Sequence, residues 1–417
     1  MKQRSPLGAL FLAVMIDLLG FGIVLPLLPQ YAKNYGASPA MLALLMSSFS
    51  AMQFVFAPMW GRISDRRGRR PVLLVGLCGS VLSYALFGIA EIDGVHQALG
   101  LATPIPLILV SRILAGLFGA TIGTAYAYIA DVTDARSRGK GMALIGVAFG
   151  IGFTLGPAVG GWTDEHWGRP APGFVAAALS FCALLVALRT LTEPERRGVS
   201  TRRGWDAFRS LGVALSRKTV ASIVALQFLA TFCFANMEGT LALFARARLG
   251  YDTGDNGMLF AYLGLSLLVA QGFVVRRFLP RVGELRFNVV GCALLAAGLG
   301  FVAVSTQQWH AFTALPTAVF GFAMVTTSMA SLLSQRTPAD MQGEVLGVNQ
   351  ASLSLARIFG PAAGNLLLPK ALDDPTNPLL ARPFWFAGGL AALAIVWAVV
   401  LARTPAPDAP PPAPDTA

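Results

Sequence analysis

Residues Gly61 to Arg70 read GRISDRRGRR, five arginines and one aspartate between two apolar runs, at about 40–60 and about 70–90. Each run is long enough to cross roughly 30 Å of hydrocarbon as a helix. A short, strongly basic segment between two such runs is what a chain shows where it leaves a bilayer and turns back into it. The two glycines, Gly61 and Gly68, suit a tight turn there. The single acid can pair with guanidinium groups or with a helix N-terminus, latching that face of the bundle in one state.

Working outward, the same alternation fills the chain. Ten further apolar spans lie at about 7–31, 104–130, 139–161, 172–190, 219–246, 256–275, 287–305, 310–334, 344–369 and 383–402. Of the 417 residues 55% are hydrophobic and only 13% charged, and the mean hydropathy is +0.63. Soluble domains carry about 25% charged residues. A soluble enzyme is thereby excluded. The net charge of +11 raises the question of nucleic acid, but the cations sit in short loops between spans and form no basic face, so no nucleic-acid partner is expected. Cys78, Cys182, Cys233 and Cys292 all fall inside spans without ligand-like spacing, and His96, His166 and His310 fall at loops, so no metal is expected. The first apolar run follows Lys2 and Arg4 as in a signal peptide, yet it is too long and contains Asp17, so it reads as a retained first helix.

A charged stretch from Leu191 to Lys218 divides the chain into an N-terminal six-helix bundle, 1–190, and a C-terminal one, 219–403. Within 191–218, Trp205, Phe208, Leu211 and Leu215 recur at helical spacing, which suits either a surface-lying amphipathic helix or a plain linker. The proline-rich segment 404–417 cannot pack and reads as a disordered tail. An internal repeat supports the two halves. Gly139 and the GPAVGG at Gly156–Gly161 recur as Gly343 and the GPAAGN at Gly360–Asn365, at a constant offset of 204. Such repeats are a recurring plan of secondary transporters. Placing both termini in the cytoplasm puts 24 Lys and Arg on the inner side and six on the outer, which fixes the orientation. No GxxxxGK[ST] phosphate loop is present, so the chain carries no nucleotide-driven motor of its own.

Four charges lie inside spans: Asp17, Arg112, Glu238 and Arg357. A carboxylate roughly 15 Å deep is costly unless paired, hydrated or protonated, which makes Asp17 and Glu238 candidate proton carriers. Two acids and two bases suggest mutual pairing in a central cavity. Gln227, Thr231 and Phe234 share a helical face with Glu238, and Gln350 and Ser354 share one with Arg357; with Gln53 they are the candidate cavity lining. In the fifth span Gly152, Gly156, Gly160 and Gly161 surround Pro157, which reads either as a flexible hinge or as static close packing.

These residues resemble the major facilitator superfamily, in particular its twelve-helix drug:proton antiporter branch with the tetracycline-efflux-like and multidrug efflux proteins. Gly61, Asp65, Arg66, Gly68, Arg69 and Arg70 match the loop signature G-x-x-x-D-[RK]-x-G-[RK]-[RK]. Asp17, Gly20, Gly22, Pro26, Leu28 and Pro29 match the first-helix pattern, Arg112 and Gly116 the fourth-helix R-x-x-x-G, and Gly152, Gly156, Pro157, Gly160 and Gly161 the antiporter-associated G-x-x-x-G-P-x-x-G-G. The resemblance implies an all-α polytopic fold of two pseudo-symmetric six-helix bundles in the inner membrane, rocking about a central cavity. It implies a monomer with no cofactor, a small-molecule substrate, and the proton gradient as energy source. Asp65 with Arg69 or Arg70, and Asp131, would form the cytoplasmic latch, and Arg112 would take part in proton coupling. Two departures stand out. The counterpart of the loop signature, at Arg276–Arg286, has Pro280 where the acid belongs, so the latch is one-sided. Close tetracycline exporters carry ionisable residues in the eighth and ninth spans, and here those spans have none, which argues against tetracycline itself. The expected function is proton-coupled efflux of a lipophilic molecule. The rivals are a proton-coupled carrier of a polar metabolite such as a sugar, and a non-transporting membrane receptor or assembly factor.

Overall fold

The computed structural model describes residues 6–24, 27–28, 31, 34–119, 122–194, 218–251, 253–338, 341–368 and 374–403. The amphipathic pattern at 205–215, the tail 404–417, Pro26 and Pro29 lie outside the described residues. The first six spans become Pro6–Val24, Pro39–Arg67, Arg69–Ala90, a fourth helix in two described segments (Ile105–Gly119 and Ile122–Val132), Ala135–Trp167 and Ala171–Thr190. The seventh is Lys218–Leu249. The eighth runs Thr253–Val269, continues as a π-helical turn Ala270–Val275, and ends as Arg276–Val282. Glu284–Val304, Gln308–Gln335, Gln342–Leu367 and Arg382–Arg403 complete the set.

Eleven of these helices are long and apolar enough to cross a membrane. The exception is the eleventh in order, Gln342–Leu367, long enough at 26 residues but too polar. It carries Glu344, Asn349, Gln350, Ser354 and Arg357, of which all but Arg357 are buried. Packed between the second, fourth and seventh helices, it meets protein where the others meet lipid, and Glu344, Ser354 and Arg357 find partners there. The outward faces elsewhere are apolar, with Leu82, Leu393 and Val396 exposed.

Several charged "loops" are in fact helix ends. The basic segment is mostly the last turns of the second helix, and Gly68 alone, at φ 114°, breaks the chain before the third. Gly61 is therefore no turn glycine. It sits inside the helix, where a Cβ would meet the Gly343 carbonyl oxygen at 2.1 Å. Likewise Arg276–Val282 is helical, Asp255 lies in the first turn of the eighth helix, and the ninth begins at Glu284.

The glycine motifs make the seams within each half. A Cβ on Gly22 would meet Gly152 O at 2.1 Å, and one on Gly156 would meet Gly22 C at 2.3 Å, so the first and fifth helices touch backbone to backbone. The fifth helix runs continuously through Pro157, and Gly161 has open space around it. The repeat recreates this seam. At the 204-residue offset, a Cβ on Gly360 would meet Phe232 O at 2.8 Å, and Pro361 packs on Gly239, joining the eleventh helix to the seventh.

Between the halves, the second helix packs on the eleventh and the fifth on the eighth. Those contacts run from Gly61–Gly343 through Gly347–Ala57 on one side, and from Gly139–Leu279 through Gly146–Gln271 and Gly150–Leu268 to Thr154–Gly264 on the other. All lie between the Asp65 end of the bundle and mid-depth. The halves close at that end.

Candidate transport site and latch

The latch at the Asp65 end is built on one buried carboxylate. Asp65 lies two residues before the end of the second helix and points at the start of the eleventh. Its Oδ1 accepts from Gly343 N at 2.8 Å and its Oδ2 from Glu344 N at 2.7 Å, so it caps a helix of the other half, where the N–H groups are unpaired and the helix dipole is positive. Arg69 lies four residues on. Its guanidinium pairs with Asp65, donates to Ser64 Oγ at 2.8 Å, and donates through Nε to Asp131 Oδ2 at 2.8 Å. Arg62 adds a second link between the halves, 3.1 Å from Glu344 Oε1. Arg70 takes no part in holding Asp65. Its guanidinium donates to Leu188 O at 2.9 Å, and the backbone N–H groups of Arg69 and Arg70 donate to Glu193 at 2.7 and 2.9 Å. Glu193 was hidden in the charged stretch after the sixth span, where nothing in its neighbours marks it out.

At the symmetry-related position there is no acid. Leu279, 1% exposed, packs its side chain against Gly139, and Lys140 stands where the other half has Glu344. Glu284 accepts instead from Ser331 at 3.0 Å and Gln335 at 2.7 Å, both on the tenth helix of its own half.

The four intramembrane charges do not form one network as the sequence suggested: Asp17 and Arg112 join no ion pair among the described residues, and of the four Glu238 and Arg357 interact only with each other, outside ion-pair contact. Among the described residues the ion pairs are Arg62–Glu344, Arg69–Asp65 and Arg69–Asp131, all at the Asp65 end. Asp17 instead faces the interior of its own half. Ser180 Oγ of the sixth helix donates to its Oδ1 at 3.1 Å, and Ser80 and Tyr84 of the third helix stand beside it. Neutral serines and a tyrosine inside apolar spans gave no signal of this, because each can bond to its own helix backbone.

Arg112 is 1% exposed, and none of its three guanidinium nitrogens has a hydrogen-bond partner among the described residues. The rings of Phe49 and Phe21 cover it, their centroids 4.9 and 5.8 Å from Cζ. Gly116, one turn on, lets the fourth helix press against the second, where a Cβ would meet Phe49 O at 2.4 Å. Phe21 also lies tilted against Phe49, centroids 4.8 Å apart, and meets Phe153 edge-on at 6.2 Å, an aromatic wall the sequence did not reveal.

Glu238 and Arg357 face each other across the C-terminal half, near enough for their charges to interact. Gln53 joins them from the other half. Its Oε1 accepts from Ser354 Oγ at 3.2 Å and Arg357 at 3.4 Å, while its Nε2 donates to Gly119 O at 3.2 Å. Gln350 is buried, and its amide nitrogen has no partner among the described residues. Gln227 and Thr231 are buried too. Gln227 donates to Thr326 O of the tenth helix at 2.9 Å, and the Thr231 hydroxyl has no partner among the described residues. Phe234 stacks flat on Phe322, centroids 4.1 Å apart.

At the opposite end of the N-terminal half a second polar cluster ties loops together. Tyr35 donates to Glu91 at 2.6 Å, Tyr31 donates to Asp164 at 2.6 Å, and Arg169 lies over the Tyr35 ring. Burial pushes the Glu91 carboxyl up to about 7, against the opposing pull of the Tyr35 hydrogen bond and the Arg169 charge. Burial and the Glu91 carboxylate push the Tyr35 hydroxyl up to about 12.

Comparison with known proteins agrees with this architecture. The family description "Major Facilitator Superfamily" matches residues 10–361. The chain is 30% identical to tetracycline resistance protein, class C, of Escherichia coli, over 87% of this chain and 89% of that one. It is 26% identical to multidrug resistance protein 1 of Bacillus subtilis (strain 168), over 94% and 95%. In fold it is similar to the human organic anion transporter MFSD10 (TETRAN), with a TM-score of 0.78 at 24% identity, covering 95% of this chain and 100% of that one. It is likewise similar to a bacterial homologue of ferroportin in its outward-facing state, with a TM-score of 0.77 at 14% identity, covering 96% and 100%. The chain belongs to the major facilitator superfamily and is a multi-pass membrane transporter of that fold, not an enzyme.

Proposed function

We propose that the chain is a proton-coupled antiporter that exports lipophilic small molecules across the inner membrane, as a monomer with both termini in the cytoplasm. One observation carries the reading. Asp17 lies at mid-depth with neutral hydroxyl partners and no ion pair, so it can hold or release a proton without breaking a salt bridge. The names of the similar chains, a tetracycline resistance protein and a multidrug resistance protein, support a lipophilic cargo. The bias of 24 cations to six supports placing the Asp65 end inside. On that placement the halves are closed to the cytoplasm, an outward-facing arrangement.

In this reading protons from outside neutralise Asp17, Glu238 or both, and substrate binds when they ionise. Proton and substrate thus exclude each other, which is the linkage an antiporter requires. Arg357 and Gln53 hold the Glu238 side of the cavity in register with the other half. The latch carboxylate Asp65 then breaks its two bonds to the eleventh helix as the halves rock.

The test is transport into proteoliposomes under an imposed pH gradient, with ethidium, tetracycline and a sugar panel as probes. Uptake of ethidium that collapses in Asp17→Asn supports the assignment. Sugar transport in its place would replace the cargo class, and full gradient-driven transport by Asp17→Asn would remove Asp17 from the mechanism.

A further inference from the structure

Inside the N-terminal half, a crevice of about 30 Å³ runs between the first, third and fourth helices to the end of the sixth. Leu10, Leu77, Ile122, Ala125 and Leu191 are among its walls, and Asp17 stands at its deep end. Asp17 is seven residues, or roughly 10 Å of helix, further into the membrane than Leu10. The shallow end abuts the latch. Leu191 is two residues from Glu193, which binds the backbone of Arg69 and Arg70, and Tyr128 OH donates to Thr192 O at 2.8 Å between them. Ala125 is on the helix that ends near Asp131, the second partner of Arg69.

Size decides what the crevice can carry. A water needs at least roughly 10–15 Å³ of such volume, whereas drug sites occupy about 300–1,000 Å³. One or two waters fit, and cargo does not. The walls are apolar apart from Asp17, so the crevice has little to hold water while the carboxyl is neutral and fills as it ionises, the behaviour of hydrophobic gates.

We infer that Asp17 exchanges its proton with the Asp65 end through this crevice, within one half and without the halves parting. The inference rests on the reading of Asp17 as a proton carrier. The O–H bond of the Asp17 carboxyl breaks, its proton passes to a crevice water, and the water passes a proton to the carboxylate of Glu193 or Asp131. The groups facing Asp17 on the other elements, Ser80 and Tyr84 of the third helix and Ser180 of the sixth, are neutral. Arg112 also lies near Tyr84 and forms no ion pair with Asp17. No second carboxylate is among these neighbours of Asp17. Cargo and proton then use separate paths, and the proton arrives beside the carboxylates that hold Arg69.

The test needs no cargo. Proteoliposomes are adsorbed to a solid-supported membrane with the Asp65 end facing the bath, and a bath pH jump is read as a transient charge displacement. The closed state is fixed by bridging Arg62→Cys and Glu344→Cys with a short bifunctional thiol reagent. The bridged protein is expected to keep whatever transient the same double-cysteine protein shows before bridging, Asp17→Asn to abolish it, and filling the crevice at two of its walls, by Ala125→Leu and Ala13→Leu, to reduce it at least tenfold. A bridged protein that loses the transient while the unbridged one keeps it overturns the inference, because the halves must then part. Filling variants that melt at a higher temperature and keep the full transient also overturn it, since the crevice is then only a packing void. A transient that survives in Asp17→Asn, or is missing from the unmodified chain, refutes the Asp17 reading itself.

Discussion

Replacing Asp65 by asparagine removes a charge while keeping the shape, and the structure says how much closure that should cost. Of the bonds Asp65 makes, those to Arg69 stay within one half and survive rocking. The bonds to Gly343 N and Glu344 N, at 2.8 and 2.7 Å, are the ones lost on opening. An asparagine oxygen can accept one of them, but its amide nitrogen cannot accept the other, and the charge opposite the helix dipole is gone. One charge-assisted bond is worth about 1.5–3 kcal/mol, and the dipole term about 1 kcal/mol or somewhat more when partly buried. Part of this returns as water reaches the open face, so a net loss of about 2–3 kcal/mol is expected, a roughly 30- to 150-fold shift toward the state open at this end. Spin labels on the exposed Arg67 and Arg281, one on each half, report the opening as a longer distance in double electron–electron resonance. Asp131→Asn is the control, because its bond to Arg69 does not cross between the halves. Equal distance distributions in Asp65→Asn and the unmodified chain, or an equal shift in Asp131→Asn, would refute the claim that the cap on the eleventh helix holds this end shut.

Other outcomes follow from the packing and the charges. Gly22→Val places branched carbons where even a Cβ would meet Gly152 O at 2.1 Å and should abolish folding or cut the melting temperature steeply, whereas Gly161→Val, with open space around it, should change melting little. Arg112→Met swaps a buried, unpartnered cation for an apolar chain of comparable length. It should melt no lower than the unmodified protein while losing gradient-driven transport, and a large drop in melting temperature would show that Arg112 is structural. Glu91 has its proton affinity raised from 4.5 to about 7, so between those values the folded chain holds a proton that the unfolded chain has lost. Stability should therefore fall as pH rises from about 4.5 to 7 and level off above, by on the order of 2 kcal/mol after solvent screening; Glu91→Gln should flatten melting temperature against pH over that interval.

How far the residues alone could be read depended on what kind of partner each one needed. Spans announce themselves by composition, because lipid demands apolar length whatever the neighbours are. The charge cluster was legible for a similar reason: one acid among five arginines is unusual anywhere, and Asp65, Arg69 and Asp131 do meet. What failed was direction around the helix axis. Four charges at similar depth invited a single network, but Asp17 turns toward Ser180 within its own half while Glu238 turns toward Arg357, and only the packed bundle fixes those angles. Gly61 was taken for a turn glycine because a helical glycine pressed on another helix looks the same until Gly343 is placed against it.

The unequal latch was visible first as a missing acid at Pro280, and the structure gives that absence a consequence. A mirrored chain would hold its closed end by two caps, one on the eleventh helix and one on the fifth. Here Asp65 caps the eleventh, but at the fifth Leu279 fills the space over Gly139, and the lysine at 140 replaces the acid found at 344. The first contact depends on charge and is desolvated at a cost, so it is lost abruptly once its two bonds part. The second is apolar, non-directional and tolerant of sliding. A bundle held by one brittle contact and one slippery one is expected to open by parting the second helix from the eleventh before the fifth leaves the eighth, an order that distance measurements across each pair would read. The π-helical turn at Ala270–Val275 lies on that slippery side, where Gln271 accepts from Thr327 at 2.8 Å and lies over Gly146. Such turns are rare departures from regular helix bonding and are frequent at functional sites. Both contacts join the two halves, so the charge-dependent one between the second and eleventh helices is the one expected to set when this end opens.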